Sequence, residues 1–118
     1  MSYKFRKNSY SAPNIEPLWQ YGVEVTDKSI MALEQIESWA WTSGEVQNLI
    51  DVINALEDDD HIQYQVEGGH LGIMIDKKGA AFFDLMNRKQ ETEDFEWPTE
   101  KFIKFLKEFK EFLAKNGR

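Results

Sequence analysis

The side chains in this sequence that could do chemistry near neutral pH are two histidines, His61 and His70, and a large set of carboxylates. The densest run of these is Glu57-Asp58-Asp59-Asp60. A shared metal ion would need both imidazole nitrogens within about 2 Å of it. The strand register argued below places His61 opposite Asp76 at one end of a hairpin and His70 beside a glycine turn at the other, so no metal site is expected. The acidic run lacks the D-x-D-x-D-G spacing and the later bidentate Glu of a calcium loop. It reads either as the charged end of a helix or as a docking patch for a basic partner. General acid–base work needs two carboxylates that converge in a cleft with separated pKa values, and no spacing here selects such a pair. The sequence contains no cysteine, P-loop, G-x-G-x-x-G, nucleophile elbow or HExxH. Gly68-Gly69 cannot be a phosphate cradle, because no helix follows it. The expectation is a chain with no catalytic residue, no metal and no cofactor.

What remains is charge. The net charge is −7, and it is unevenly spread: residues 1–15 carry +3 with no acid, residues 101–118 carry +4, and residues 16–100 hold 19 acids against five bases, a net of −14. An acidic middle of this size repels nucleic acid and anionic membrane and steers a basic partner. Acidic surfaces also serve solubility alone. Two acidic segments are the candidate partner-binding residues: Asp51 with Glu57, Asp58, Asp59 and Asp60, and the run Glu91, Glu93, Asp94, Phe95, Glu96 and Trp97. Trp39, Trp41, Trp97 and Phe95 are either interface anchors or clamps in the core.

The elements that must position these residues centre on His61 to Leu85. Ile62, Tyr64 and Val66 alternate with Gln63 and Gln65, the period-2 pattern of a strand with one buried face. With Gly68-Gly69 as a two-residue loop, Tyr64 faces Ile73 and Ile62 faces Ile75. With Lys77 to Gly79 as a three-residue loop, Ile75 meets Ala81, Ile73 meets Phe83 and Leu71 meets Leu85. Both registers turn the large apolar residues to one side. Trp19 to Thr26 reads as a further strand and is expected to extend this meander to four.

Asp27 is a suitable N-cap for an amphipathic run over 27–41, helical or partly strand. Thr42-Ser43-Gly44-Glu45 is a capping box ahead of a helix with Val46, Leu49, Ile50, Ile53 and Leu56 on one stripe, ending near Leu56. Residues 86–97 read as a polar surface loop. Pro98-Thr99 opens a last helix whose stripe of Phe102, Phe105, Leu106, Phe109, Phe112 and Leu113 suits packing on a sheet. The 118 residues, 42% apolar, suffice for one domain with one core. Residues 1–18 are expected to be irregular. The fold class is α+β: an antiparallel sheet of three to four strands, the meander 61–85 plus a strand near 19–26, with two to three helices on one face. Lys4, Arg6 and Lys7 are followed by no apolar h-region, so no secretory signal is expected. No apolar run reaches the roughly 18 residues of a membrane span. A cytoplasmic protein is expected, monomeric or weakly dimeric before it meets its partner.

In its order of elements, a capped helix (TSGEVQNLIDVINALEDD), a glycine-turn meander (IQYQVEGGHLGIMIDKKGAAFFDL) and a closing helix (WPTEKFIKFLKEFKEFL), the chain resembles the small immunity proteins of bacterial contact-dependent growth inhibition and other polymorphic toxin systems. It is also similar in layout to short enterobacterial proteins of no assigned activity. The resemblance covers roughly residues 19–115. It implies a cytoplasmic, non-catalytic protein that binds one cognate toxin domain, often a nuclease with a basic groove, and blocks it. A regulatory or adaptor protein with another partner, and less readily a small enzyme, would have similar composition.

Overall fold

The computed structural model describes residues 2–11, 13–87 and 92–118, and its fold is α+β. Six strands form two antiparallel sheets. One is the hairpin of β1 (Tyr3–Tyr10) and β2 (Leu18–Val25), and the other has the order β3 (His61–Tyr64), β4 (Leu71–Asp76), β5 (Gly79–Asp84) and β6 (Phe95–Pro98). A 3₁₀ segment (Lys28–Ile36) follows β2, α1 (Ser43–Asn54) precedes β3, and α2 (Thr99–Lys115) ends the fold.

The first half of the meander has the expected register: His61 pairs with Asp76, Ile62 with Ile75 and Tyr64 with Ile73. Its connection is longer than two residues. β3 stops at Tyr64, and of the two glycines only Gly68 has positive φ, at 77°. The second half is shifted by one residue. Ile75 pairs with Ala80, Ile73 with Phe82 and Leu71 with Asp84. The cause lies in the turn. Asp76 Oδ1 accepts hydrogen bonds from the backbone of Lys78 (2.7 Å) and Gly79 (2.8 Å), which closes a two-residue loop of Lys77 and Lys78. Side chains alternate along a strand, so a one-residue slip exchanges the faces. Ala80 and Phe82 are buried, and Ala81, Phe83 and Leu85 turn outward.

Two further expectations are corrected. The fourth strand of the sheet is β6, inside the stretch read as a loop, and the strand near 19–26 belongs to the other sheet. Its partner is β1, so Tyr3–Tyr10 is not irregular: Tyr3 and Phe5 alternate with Lys4 and Arg6 and lay their rings on α2, with Phe5 stacked on Phe109 at 5.4 Å and Tyr3 edge-on to Phe105 at 5.3 Å.

The two sheets meet at residues 37–41, which are extended. Ser38 exchanges two backbone hydrogen bonds with Tyr21 of β2, both 3.0 Å, and its hydroxyl donates to the Glu67 carbonyl in the β3–β4 loop. Glu37 then receives Asn8 Nδ2 at 2.6 Å and the Tyr10 hydroxyl at 3.1 Å, with Arg6 at 3.6 Å. Gly22 lies against this segment, where a Cβ would sit 2.8 Å from Glu37 Cα. These bonds hold the hairpin at a fixed angle to the body.

The helices start as their sequences dictate. Asp27 accepts from Ser29 N (2.9 Å) at the head of the 3₁₀ segment, and Thr42 Oγ1 accepts from Glu45 N (3.0 Å) at the head of α1. The Glu45 carboxylate, however, accepts from the Tyr64 hydroxyl at 2.6 Å, which ties α1 to β3. α2 buries Phe102, Phe105, Leu106, Phe109 and Leu113, while Phe112 is half-buried. Each such burial contributes about 1.5–3 kcal/mol. Phe102 meets Phe82 edge-on at 5.2 Å, and Trp41 meets Phe109 at 5.1 Å, so one aromatic core joins the hairpin, α2 and the inner face of the larger sheet.

Candidate functional site

The 3₁₀ segment and α2 cover one face of the four-stranded sheet. The opposite face carries residues from all four strands. Gln63 pairs with Met74, Met74 with Ala81, Gly72 with Phe83 and Ala81 with Glu96, so these side chains share one surface. Among the described residues no helix lies over it. Met74 is 40% exposed, and Phe83 and Leu85 are half-buried. Leu85 folds back over Gly72, where a Cβ would lie 3.1 Å from Leu85 Cδ2. The result is an apolar strip of Met74, Phe83 and Leu85.

Two open depressions run along this strip and share Met74 and Phe83. One, of about 670 Å³, is bounded by His61, Asp76, Lys78, Glu93, Glu96 and Pro98 as well. The other, of about 410 Å³, is bounded by Gln63, Gln65, Gly72 and Leu85. The first is therefore rimmed by charge and the second by amides. A partner's apolar side chain fits the strip, and a cation fits the Glu93/Glu96 end. Asp76 is committed to its turn, and the hydrogen bonds from Gly79 and Lys78 hold its pKa below the ordinary carboxylate value.

The acidic residues singled out in the sequence divide into working groups. Glu57, Asp58, Asp59 and Asp60 are all exposed in the α1–β3 loop and bound a depression of about 450 Å³ with Leu56 and Lys77. Asp60 Oδ2 accepts from Glu57 N (2.9 Å), and Asp58 pairs with Lys77 at 3.1 Å. That ion pair anchors the loop to the β4–β5 turn, next to His61 and Asp76. Asp59 has no partner among the described residues. Asp51 stays apart: it accepts from Gln47 Nε2 at 2.8 Å on α1, and Gln47 in turn receives Lys110 of α2 at 2.6 Å.

In the second segment, Glu91 lies outside the described residues. Asp94 is structural, since its carboxylate accepts from Asp84 N at 2.7 Å and its own N–H donates to the Phe82 carbonyl at 2.8 Å. Phe95 stacks on Phe82 at 4.4 Å. Trp97 is only 5% exposed and packs on Phe82 and Phe105, so it is a core residue and not a surface anchor. Glu93 and Glu96 are left at the surface, on the rim of the sheet face. Trp41 is fully buried, with Nε1 donating to the Ile36 carbonyl at 2.7 Å, whereas Trp39 is 40% exposed.

Two surface features were missed by sequence reasoning. The outer strip was missed because the shifted register had assigned Phe83 and Leu85 to the interior. The tip of the β1–β2 hairpin was missed because residues 1–18 were read as irregular. There Tyr10, Ile15, Leu18 and Trp19 are 44–67% exposed, and Lys7 Nζ lies 4.9 Å above the Trp19 ring. The alternation of Tyr3 and Phe5 with Lys4 and Arg6 was the available signal. Among the described residues no three His, Asp or Glu side chains converge to hold a metal ion, and no helix is long and apolar enough to cross a membrane. No family model matches the chain, and the comparisons with curated proteins and with solved structures likewise give no match.

Proposed function

We propose that the chain is a stoichiometric, non-catalytic binding protein of the immunity type, which occupies a basic toxin domain, such as a nuclease, in the cytoplasm. The observation that supports this reading best is the uncovered outer face of the four-stranded sheet. It presents an apolar strip whose one end carries Glu93 and Glu96, with the exposed acidic loop 57–60 tied beside it through Asp58 and Lys77. Apolar anchors inside a charged rim are the anatomy of a protein interface. The net −14 of residues 16–100 supplies long-range attraction for a basic partner and opposes nucleic acid and anionic membrane.

The test is co-expression with the toxin domain encoded beside this gene. The expected outcome is rescue of growth and a co-purifying complex with nanomolar affinity, on the order of −12 kcal/mol. Met74→Glu should weaken that complex at least about tenfold and leave the circular dichroism spectrum unchanged, because Met74 is exposed on the outer face. A neighbouring gene that encodes no toxin, with no rescue against any basic domain, would turn the same surface into that of an adaptor for another partner. Full affinity in the Met74→Glu variant would remove the sheet face from the interface.

A further inference from the structure

The molecule carries two exposed apolar surfaces of opposite electrostatic character, and its own core separates them. The hairpin tip bears Tyr10, Ile15, Leu18 and Trp19 with Lys7 over the Trp19 ring, on a segment where residues 1–15 hold three bases and no acid. The outer sheet face bears Met74, Phe83 and Leu85 with Glu93 and Glu96 on its rim. The sheet's inner face, α2 and the core-facing side of the hairpin lie between them, so one chain cannot bring the two together. We infer that they meet between copies: the hairpin tip of one molecule seats on the outer sheet face of the next, with Trp19 and Leu18 against Met74 and Phe83, and Lys7 toward Glu93 and Glu96.

The local charges favour this occupant over the alternatives. Lys4 is already paired with Glu24 at 3.0 Å, and Arg6 lies 3.6 Å from Glu37. Lys7 is the β1 cation with no carboxylate of its own among the described residues, and it sits beside the exposed tryptophan. A β1-to-β1 pairing across two copies would bring Lys7 of each strand toward the other's basic residues, and like charges facing each other oppose it. The contact proposed here joins unlike patches, so it is heterologous: it does not close at two copies unless further rotation makes a ring. The occupied face is the one assigned above to the partner protein. The inference therefore rests on that face being a binding surface, and self-association and partner binding should compete.

Sedimentation velocity of the full chain alone, over a wide concentration range, is the direct test. Association that strengthens with concentration and weakens with added salt is expected. Trp19→Ala and Met74→Glu should each raise the dissociation constant at least about tenfold, and Lys7→Glu should act in the same direction without removing apolar surface. The decisive sample is an equimolar mixture of Trp19→Ala and Met74→Glu. One retains an intact sheet face and the other an intact hairpin tip, so the mixture should regain one contact and form a dimer that grows no further. A chain monomeric at every concentration would overturn the inference. So would self-association that Met74→Glu leaves intact, or a Trp19-dependent affinity for anionic phospholipid vesicles without self-association. None of these outcomes touches partner binding, which the toxin co-expression reads separately.

Discussion

β4 and β5 present two faces built from adjacent residues and treated in opposite ways. Ile73, Ile75 and Phe82 point inward and are at most 3% exposed, whereas Met74 and Phe83, one residue away on the same strands, lie on a surface that no described helix covers. The inner face is an aromatic interlock in which Phe82 stacks on Phe95 and meets Phe102 and Trp97 edge-on. The outer face has large apolar side chains with nothing of the chain's own laid over them. Stability resides on one face, and capacity to bind on the other. A half-covered antiparallel sheet normally turns polar residues to water, so the outer Met and Phe are the anomaly that calls for an occupant.

The sharpest way to break this comparison is a pair of truncations one residue apart. Phe82→Ala should cost about 3–5 kcal/mol, measured by urea unfolding, because it empties the centre of the interlock. Phe83→Ala should cost less than about 1 kcal/mol. Equal costs would mean that the faces are not distinct, and a reversed order would mean that the register is the three-residue-loop alternative.

That alternative shows where the sequence was legible and where it was not. The run Gly79-Ala80-Ala81-Phe82-Phe83-Asp84 offers one Ala and one Phe to either face, so hydrophobic alternation cannot choose between them. The choice falls to the Asp76 carboxylate, whose two hydrogen bonds shorten the loop, and Asp-x-x-Gly is compatible with either loop length. Where the alternation was unequal it was decisive. Ile62 and Tyr64 against Gln63 gave the β3–β4 register, and the phenylalanine stripe gave the buried side of α2. β6 was hidden because Phe-Glu-Trp-Pro is short and sits in an acidic stretch, yet Phe95 and Trp97 alternate with Glu96 as a strand requires. Of the candidate acidic site, Glu57 to Asp60, Glu93 and Glu96 are at the surface as anticipated. Trp97 and Asp94 were claimed by the core and by a turn, and composition carries no information about that.

Glycines extend the comparison at a smaller scale. Gly22→Ala, on the covered side, would put a Cβ 2.8 Å from the Glu37 backbone, and overpacking there should cost about 1–3 kcal/mol. Gly72→Ala, on the outer face, meets only the tip of Leu85 at 3.1 Å, which can swing away, so it should cost well under about 1 kcal/mol. If Gly72→Ala proves the more damaging, the outer face is packed more rigidly than its exposure implies.

Alkali probes the covered side without mutation. Tyr3 is pushed up to about 12, first by burial and then by its hydrogen bond to Glu108, and Tyr64 is raised in the same way by burial and Glu45. Below the ordinary tyrosine value of 10 both folded and unfolded chains hold the proton, so stability does not vary with these groups. Between 10 and about 12 the unfolded chain loses protons that the folded chain keeps, and stability must fall as pH rises. The urea midpoint should therefore drop across that window, and Tyr3→Phe should flatten part of the drop. No outer-face residue contributes to it.

The smallest effect on stability is expected at Asp59, and it separates charge from structure most cleanly. Asp58 is held by Lys77 and Asp60 closes the loop through Glu57 N, so reversing either alters the turn as well as the field. Asp59 is exposed and has no partner among the described residues, so Asp59→Lys should shift stability by less than about 0.5 kcal/mol. Its influence on a basic partner acts at a distance, before contact. The association rate should fall at low ionic strength and converge with that of the parent protein as salt shortens the screening length to under about 10 Å. The dissociation rate should barely change. A slower dissociation-limited complex with an unchanged association rate would make loop 57–60 a contact, whereas no change in either rate would leave the sheet face as the whole of the interface.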